Sequence, residues 1–117
     1  MTNNKTKFDL EERTAKFGEN VLYFCRLVNL NNINEPLIKQ LIRSSTSIGA
    51  NYMEANGSDS RRDFKNKISI CKKEAKETKH WLRMIVIVLP DKKDQIRVLW
   101  QEAHELSLIF ASIAKKV

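Results

Sequence analysis

The chain has 117 residues, 42% of them hydrophobic, with 21 Lys and Arg against 14 Asp and Glu for a net charge of +7. That length suits one domain with one core, and only three Gly and two Pro argue against a turn-rich all-β fold. No apolar run reaches the roughly 18 residues a membrane span needs, and the N-terminal MTNNKTKFDLEER lacks the apolar stretch of a secretory leader, so a cytoplasmic protein is expected.

The first helix is expected over about residues 9–30. Asp9 can cap free backbone N–H groups, with Glu12 closing a capping box. Its apolar line is Leu10, Thr14, Phe17, Val21, Phe24 and Val28, in alternating steps of four and three. An Asn-rich turn follows, and Asn34 is placed to cap a second helix over about 35–56. That helix lines up Ile38, Leu41, Ser45, Ile48, Tyr52 and Ala55. Its segment RSSTSIGANYMEAN carries only two charges, which suggests a surface covered on more than one side. Gly49 beside the seam would let another helix approach closely. Arg43, Asn51 and Glu54 then form a candidate buried polar network, with Arg61 or Arg62 as further partners.

NGSDS breaks the chain, and Asp59 or Ser60 caps a third helix over about 60–89. Its seam is Phe64, Ile68, Cys71, Ala75, Thr78, Leu82, Ile85 and Leu89, stopped by Pro90. Asp91 is the expected cap of a fourth helix over about 92–115, whose seam is Ile96, Leu99, Ala103, Leu106, Phe110, Ile113 and Val117. Four helices joined by short loops predict an all-α fold, an antiparallel up-down-up-down four-helix bundle forming a single domain over 1–117.

The third helix concentrates the charge. Residues 59–90 hold nine Lys and Arg against four Asp and Glu. With the seam at heptad positions a and d, the b and e positions are Arg62, Lys65, Ser69, Lys72, Lys76, Lys79 and Arg83. Six of these seven are cations, on a stripe about 32 Å long at about 1.5 Å per residue. Such a stripe can follow a polyphosphate backbone, RNA or DNA, in a salt-sensitive way. No aromatic residue interleaves within it, which favours backbone contact over base stacking. A solvated face, or one pairing with acids across a subunit contact, is the alternative.

WLRMIVIVL, residues 81–89, is too apolar for one seam. Trp81, Met84 and Val88 lie on the flank opposite the basic stripe, and with Trp100 they are the candidate oligomer interface. Catalytic and metal readings are weak. Glu77 and His80 have the Glu-x-x-His spacing of di-iron bundles, but they point away from the seam and have no second pair. Cys25 and Cys71 match no ligand spacing and read as reduced core thiols. No cofactor, metal site or catalytic residue is expected, and the chain is read as non-enzymatic.

The stretch from Arg43 to Ile85, with SIGANYMEA on one helix and DFKNKISICKKEAKETKHWLR on the next, resembles the bacterial four-helix bundle family encoded in 23S rRNA intervening sequences, also labelled S23 ribosomal protein. The resemblance is dense there and looser over the first and fourth helices. It implies a homo-oligomeric ring, typically a pentamer, and no enzymatic activity. It also implies kinship with the accessory variability protein of diversity-generating retroelements, which partners a reverse transcriptase and RNA. The family's polar pair three apart falls on Asn51 and Glu54, and Ala55 stands where many relatives have Gly. Two functions are therefore expected to compete: nucleic-acid binding through the third helix, or a structural adaptor oligomer that recruits another protein.

Overall fold

A computed structural model describes residues 2–117, with side chains from Asp9 onward. Four helices follow one another: α1 Thr2–Arg26, α2 Asn34–Asn56, α3 Arg61–Val88 and α4 Lys93–Lys116, with a 3-10 turn at Pro90–Lys92. There is no strand among the described residues. The helices pack as an antiparallel up-down-up-down bundle of 44 × 22 × 21 Å. α3 packs extensively on both α2 and α4, and α1 joins the bundle mainly through α2.

The apolar periodicity builds the core. Five seam residues of α1, Val28 just beyond its end (the helix stops at Arg26, short of the expected residue 30), all six of α2, and Ile68, Cys71, Ala75, Thr78, Leu82 and Ile85 of α3 are buried. In α4 the buried seam is Ile96, Leu99, Ala103, Leu106 and Phe110, while Ile113 and Val117 at its end are half-buried. Tyr52 and Phe110 meet across the core with ring centroids 5.7 Å apart. Both cysteines are free and buried. Burial pushes the Cys25 thiol up to about 11 and the Cys71 thiol up to about 12, so both stay protonated and unreactive near neutrality.

Small residues bring α1 and α2 together. A Cβ built on Gly49 would lie 3.3 Å from Thr14 Oγ1 and 3.4 Å from the Thr14 carbonyl carbon, so the α2 backbone sits directly on that of α1. Gly18 answers from α1, its Cβ position 3.7 Å from Thr46 Cα. This part of RSSTSIGANYMEAN is therefore a helix-packing surface.

Helix boundaries correct several expectations. α1 begins before Asp9, so Asp9 sits inside the helix and is not a cap. Asn34 does not cap α2 by itself. Asn31 Oδ1 accepts from the backbone N–H groups of Ile33 (2.9 Å) and Asn34 (2.8 Å), and Asn34 Oδ1 accepts from Asn31 N in return. This reciprocal pair satisfies orphan donors as a capping box does, three residues upstream of the expected site. Ser60 caps α3 as expected, its Oγ accepting from Asp63 N at 3.1 Å. Asp91 does not cap α4. Pro90 ends α3 and seeds the 3-10 turn that holds Asp91, and α4 starts at Lys93 without a side-chain cap.

At the open edge of the bundle, Arg13 reaches from α1 to α4. Its Nε donates to Glu102 at 2.7 Å, and a terminal nitrogen donates to Glu102 at 2.8 Å and Glu105 at 3.0 Å. The forked contact with Glu102 is bidentate and holds the Arg13 guanidinium more firmly protonated than usual.

Candidate nucleic-acid interface

α3 packs between α2 and α4, and its two flanks differ. Toward α2 its charges are matched. Arg43 of α2 donates to Glu74 Oε2 at 3.0 Å and to Glu77 Oε2 at 2.6 Å. Ser47 Oγ donates to the same Glu74 oxygen at 2.9 Å, and Asn51 Nδ2 donates to Ser47 at 2.9 Å. Burial alone would raise the pKa of Glu74; the bonds from Arg43 and Ser47 outweigh it and hold the carboxyl below the usual range. Its other oxygen, Oε1, is buried with no hydrogen-bond partner among the described residues.

The buried polar network thus differs from the expected one. Asn51 is half-buried and joins it through Ser47, Arg43 is about half-exposed and reaches it from the surface, and Glu54 takes no part in it. Glu54 is about half-exposed and pairs with Lys67 at 2.7 Å. The buried carboxylate is Glu74, on the opposing helix. Arg61 and Arg62 are exposed at the start of α3 and make no ion pair among the described residues. Which acid meets Arg43 depends on the relative level of two helices, which periodicity within one helix does not encode.

Toward α4 the charges are unmatched. Arg62, Lys65, Lys76 and Arg83 are exposed, and Lys72 and Lys79 are half-buried. None of the six forms an ion pair among the described residues. The reason is geometric. Glu74 and Glu77 lie on the α2 side, held by Arg43, and Glu102 and Glu105 of α4 turn the other way, held by Arg13. These four acids, which might have neutralised the stripe, are each committed to another helix.

The structure adds to this flank two side chains that the stripe on α3 did not include. Trp100 and His104, one turn apart on α4, stack with ring centroids 5.1 Å apart and planes 12° from parallel. Lys79 Nζ lies 3.1 Å from His104 Nδ1 and 5.4 Å from the Trp100 ring centroid. A lysine ammonium only donates, so Nδ1 accepts and the imidazole proton sits on Nε2. The expectation of a stripe without aromatics is therefore overturned at the level of the surface. The signal was present in the sequence, since Trp100 and His104 fall at positions e and b of the α4 heptad, the flank that faces α3.

The same geometry divides the candidate oligomer interface. Residues 79 and 81 point about 200° apart around a helix. Trp100 lies against Lys79, so it is not beside Trp81, Met84 and Val88. Those three are half-buried; Trp81 packs on the core and meets His80 edge-on at 5.0 Å. Exposed apolar side chains include Ile87 in the same stretch, a run of Leu22, Tyr23, Leu27, Leu30 and Ile33 along the end of α1 and the turn after it, and Met53, Ile70, Val98 and Leu108. No group of three or more His, Cys, Asp or Glu residues that could hold a metal ion occurs among the described residues. Among those residues no helix is long and apolar enough to cross a membrane.

A family model described as 23S rRNA-intervening sequence protein matches residues 12–112. A crystal structure of a protein with unknown function from the S23 ribosomal protein family of Bacteroides thetaiotaomicron VPI-5482 is similar to this chain. The two are 31% identical, the match covers 90% of this chain and 97% of that one, and the TM-score is 0.78. No curated protein matches the chain.

Proposed function

The chain belongs to the 23S rRNA-intervening sequence protein family, and from that premise we propose that it is a non-enzymatic, cytoplasmic, oligomeric bundle that binds RNA or DNA through the α4-facing flank of α3. One observation carries the reading: six cations on one flank have no ion pair among the described residues, while Glu74 and Glu77 of the same helix are bound on the other flank. A cationic surface left unneutralised over about 32 Å, at about 1.5 Å per residue, attracts a polyanion and releases its condensed counterions. The buried free thiols fit a reducing compartment.

The test is a titration of a labelled 20-nucleotide RNA at rising salt. Each phosphate neutralised on a single strand contributes about −0.7 to the slope of log affinity against log salt, so four to six contacts give a slope of about −3 to −4. Replacing Lys72, Lys76 and Lys79 with Glu lowers affinity at least about tenfold. Absence of binding at 50 mM salt, or binding indifferent to salt, sinks the reading.

The exposed apolar residues near the end of α1 favour a second element of function, assembly. Leu22, Tyr23, Leu27, Leu30 and Ile33 are more apolar surface than an isolated bundle normally leaves in water. Together with the half-buried Trp81, Met84 and Val88 they are the surface proposed for contacts between copies, in a ring of five. A light-scattering mass equal to the 13.6 kDa chain would end this part of the proposal. If assembly stands and nucleic-acid binding fails, the adaptor function is the one left.

A further inference from the structure

Trp100 packs on the edge of the core without belonging to its seam. The α4 seam passes through Ile96, Leu99 and Ala103, and Trp100 stands beside it, half-buried on the most basic flank of the molecule. A large aromatic left partly in water among lysines contributes less burial than it would in the seam, and the part left in water can meet a ligand. His104 stacks on it with planes 12° from parallel, so the pair is a short aromatic stack whose outer faces another ring can extend. Lys79 holds the stack together, by a bond to His104 Nδ1 at 3.1 Å and by a cation–π approach over the Trp100 ring at 5.4 Å. Lys76 and Arg83, one turn to either side of Lys79 and unpaired by any acid, flank the rings with positive charge.

An aromatic stack bordered by free cations matches the two ends of one nucleotide. The cations take the phosphate, and the rings take a base, since every base presents a π face. Bases inside a duplex are already stacked on their neighbours and cannot reach it. From this arrangement we infer that the Trp100–His104 pair stacks an unpaired base, so that this flank selects single-stranded over double-stranded nucleic acid. The inference rests on the nucleic-acid reading of α3 and narrows it from charge to strand state.

The experiment compares a 12-nucleotide RNA with the same strand annealed to its complement, against the full chain at 50 mM salt. Trp100→Leu weakens binding of the single strand about tenfold, within the range seen when one stacking aromatic is removed, and changes duplex binding by less than about twofold. Trp100→Phe restores most of the single-strand affinity, and circular dichroism melting checks that each variant is folded. If Trp100→Leu does not fold, Trp100→Phe and His104→Ala carry the comparison. In a Trp81→Phe background, the single strand quenches the remaining tryptophan emission and the duplex does not. Equal losses for both ligands, or no loss for either, overturn the stacking inference and leave the charged surface standing. Failure of the unaltered chain to bind either ligand overturns both.

Discussion

The flank of α3 that meets α2 and the flank that meets α4 carry residues of the same kinds in different company. On the α2 side Arg43, Glu74, Glu77, Ser47 and Asn51 close on one another, and one carboxylate is nearly buried. On the α4 side six cations have no ion pair among the described residues, and Lys79 meets a stacked aromatic pair. Charges satisfied within the chain contribute to the fold and present little to a partner. Charges left without counter-ions contribute little to the fold and remain available. One helix thus separates the two uses by a rotation about its own axis.

Four changes break or sharpen this contrast, in order of decreasing effect on stability. Leu82→Ala removes a fully buried side chain from the seam between the flanks and costs about 2–5 kcal/mol, measured by urea unfolding. Arg43→Ala strips the α2 flank of its cation and leaves Glu74 with Ser47 alone. Because Arg43 is about half-exposed, solvent screens much of the pairing, and the cost is about 1–2 kcal/mol. Acid acts on the same flank. The folded-state pKa of Glu74 is lowered, so its contribution is complete above the ordinary value of 4.5 and is lost as pH falls through the folded value. Melting curves at successive pH values therefore show the gap between the unaltered chain and Glu74→Gln closing below about pH 4.5. The smallest change is on the other flank: Lys72, Lys76 and Lys79 to Glu together shift stability by less than about 0.5 kcal/mol per site, or raise it by relieving repulsion. A large loss there would mean that the α4 flank is structural after all.

How much of this was legible depended on whether one helix or two were needed to read it. The seams were legible from Leu10 to Phe110, because a period near 3.5 is written within each helix. The six stripe residues were legible for the same reason. Glu74 as the partner of Arg43 was not, since Glu54 has an equally plausible position on its own helix and only the level of α3 against α2 decides between them. Trp100 beside Lys79 is the same kind of fact. Local end chemistry was legible at Ser60, whose side chain caps directly, and failed at Asn34 and Asp91. There an upstream Asn and a proline-led turn took over the role.

The Arg13 contact to α4 has a kinetic meaning. It joins residues 89 and 92 positions apart, whereas α2, α3 and α4 follow one another through short turns. Closing so long a loop costs chain entropy before any contact rewards it, so the contact between α1 and α4 is expected to form late on folding and to be lost early on unfolding. Arg13→Ala is then expected to quicken unfolding in stopped-flow mixing while the folding rate stays nearly unchanged. Hydrogen exchange would show α1 opening below the free energy of global unfolding. The edge between the first and last helices is in that sense a latch, and its polar part is a single guanidinium.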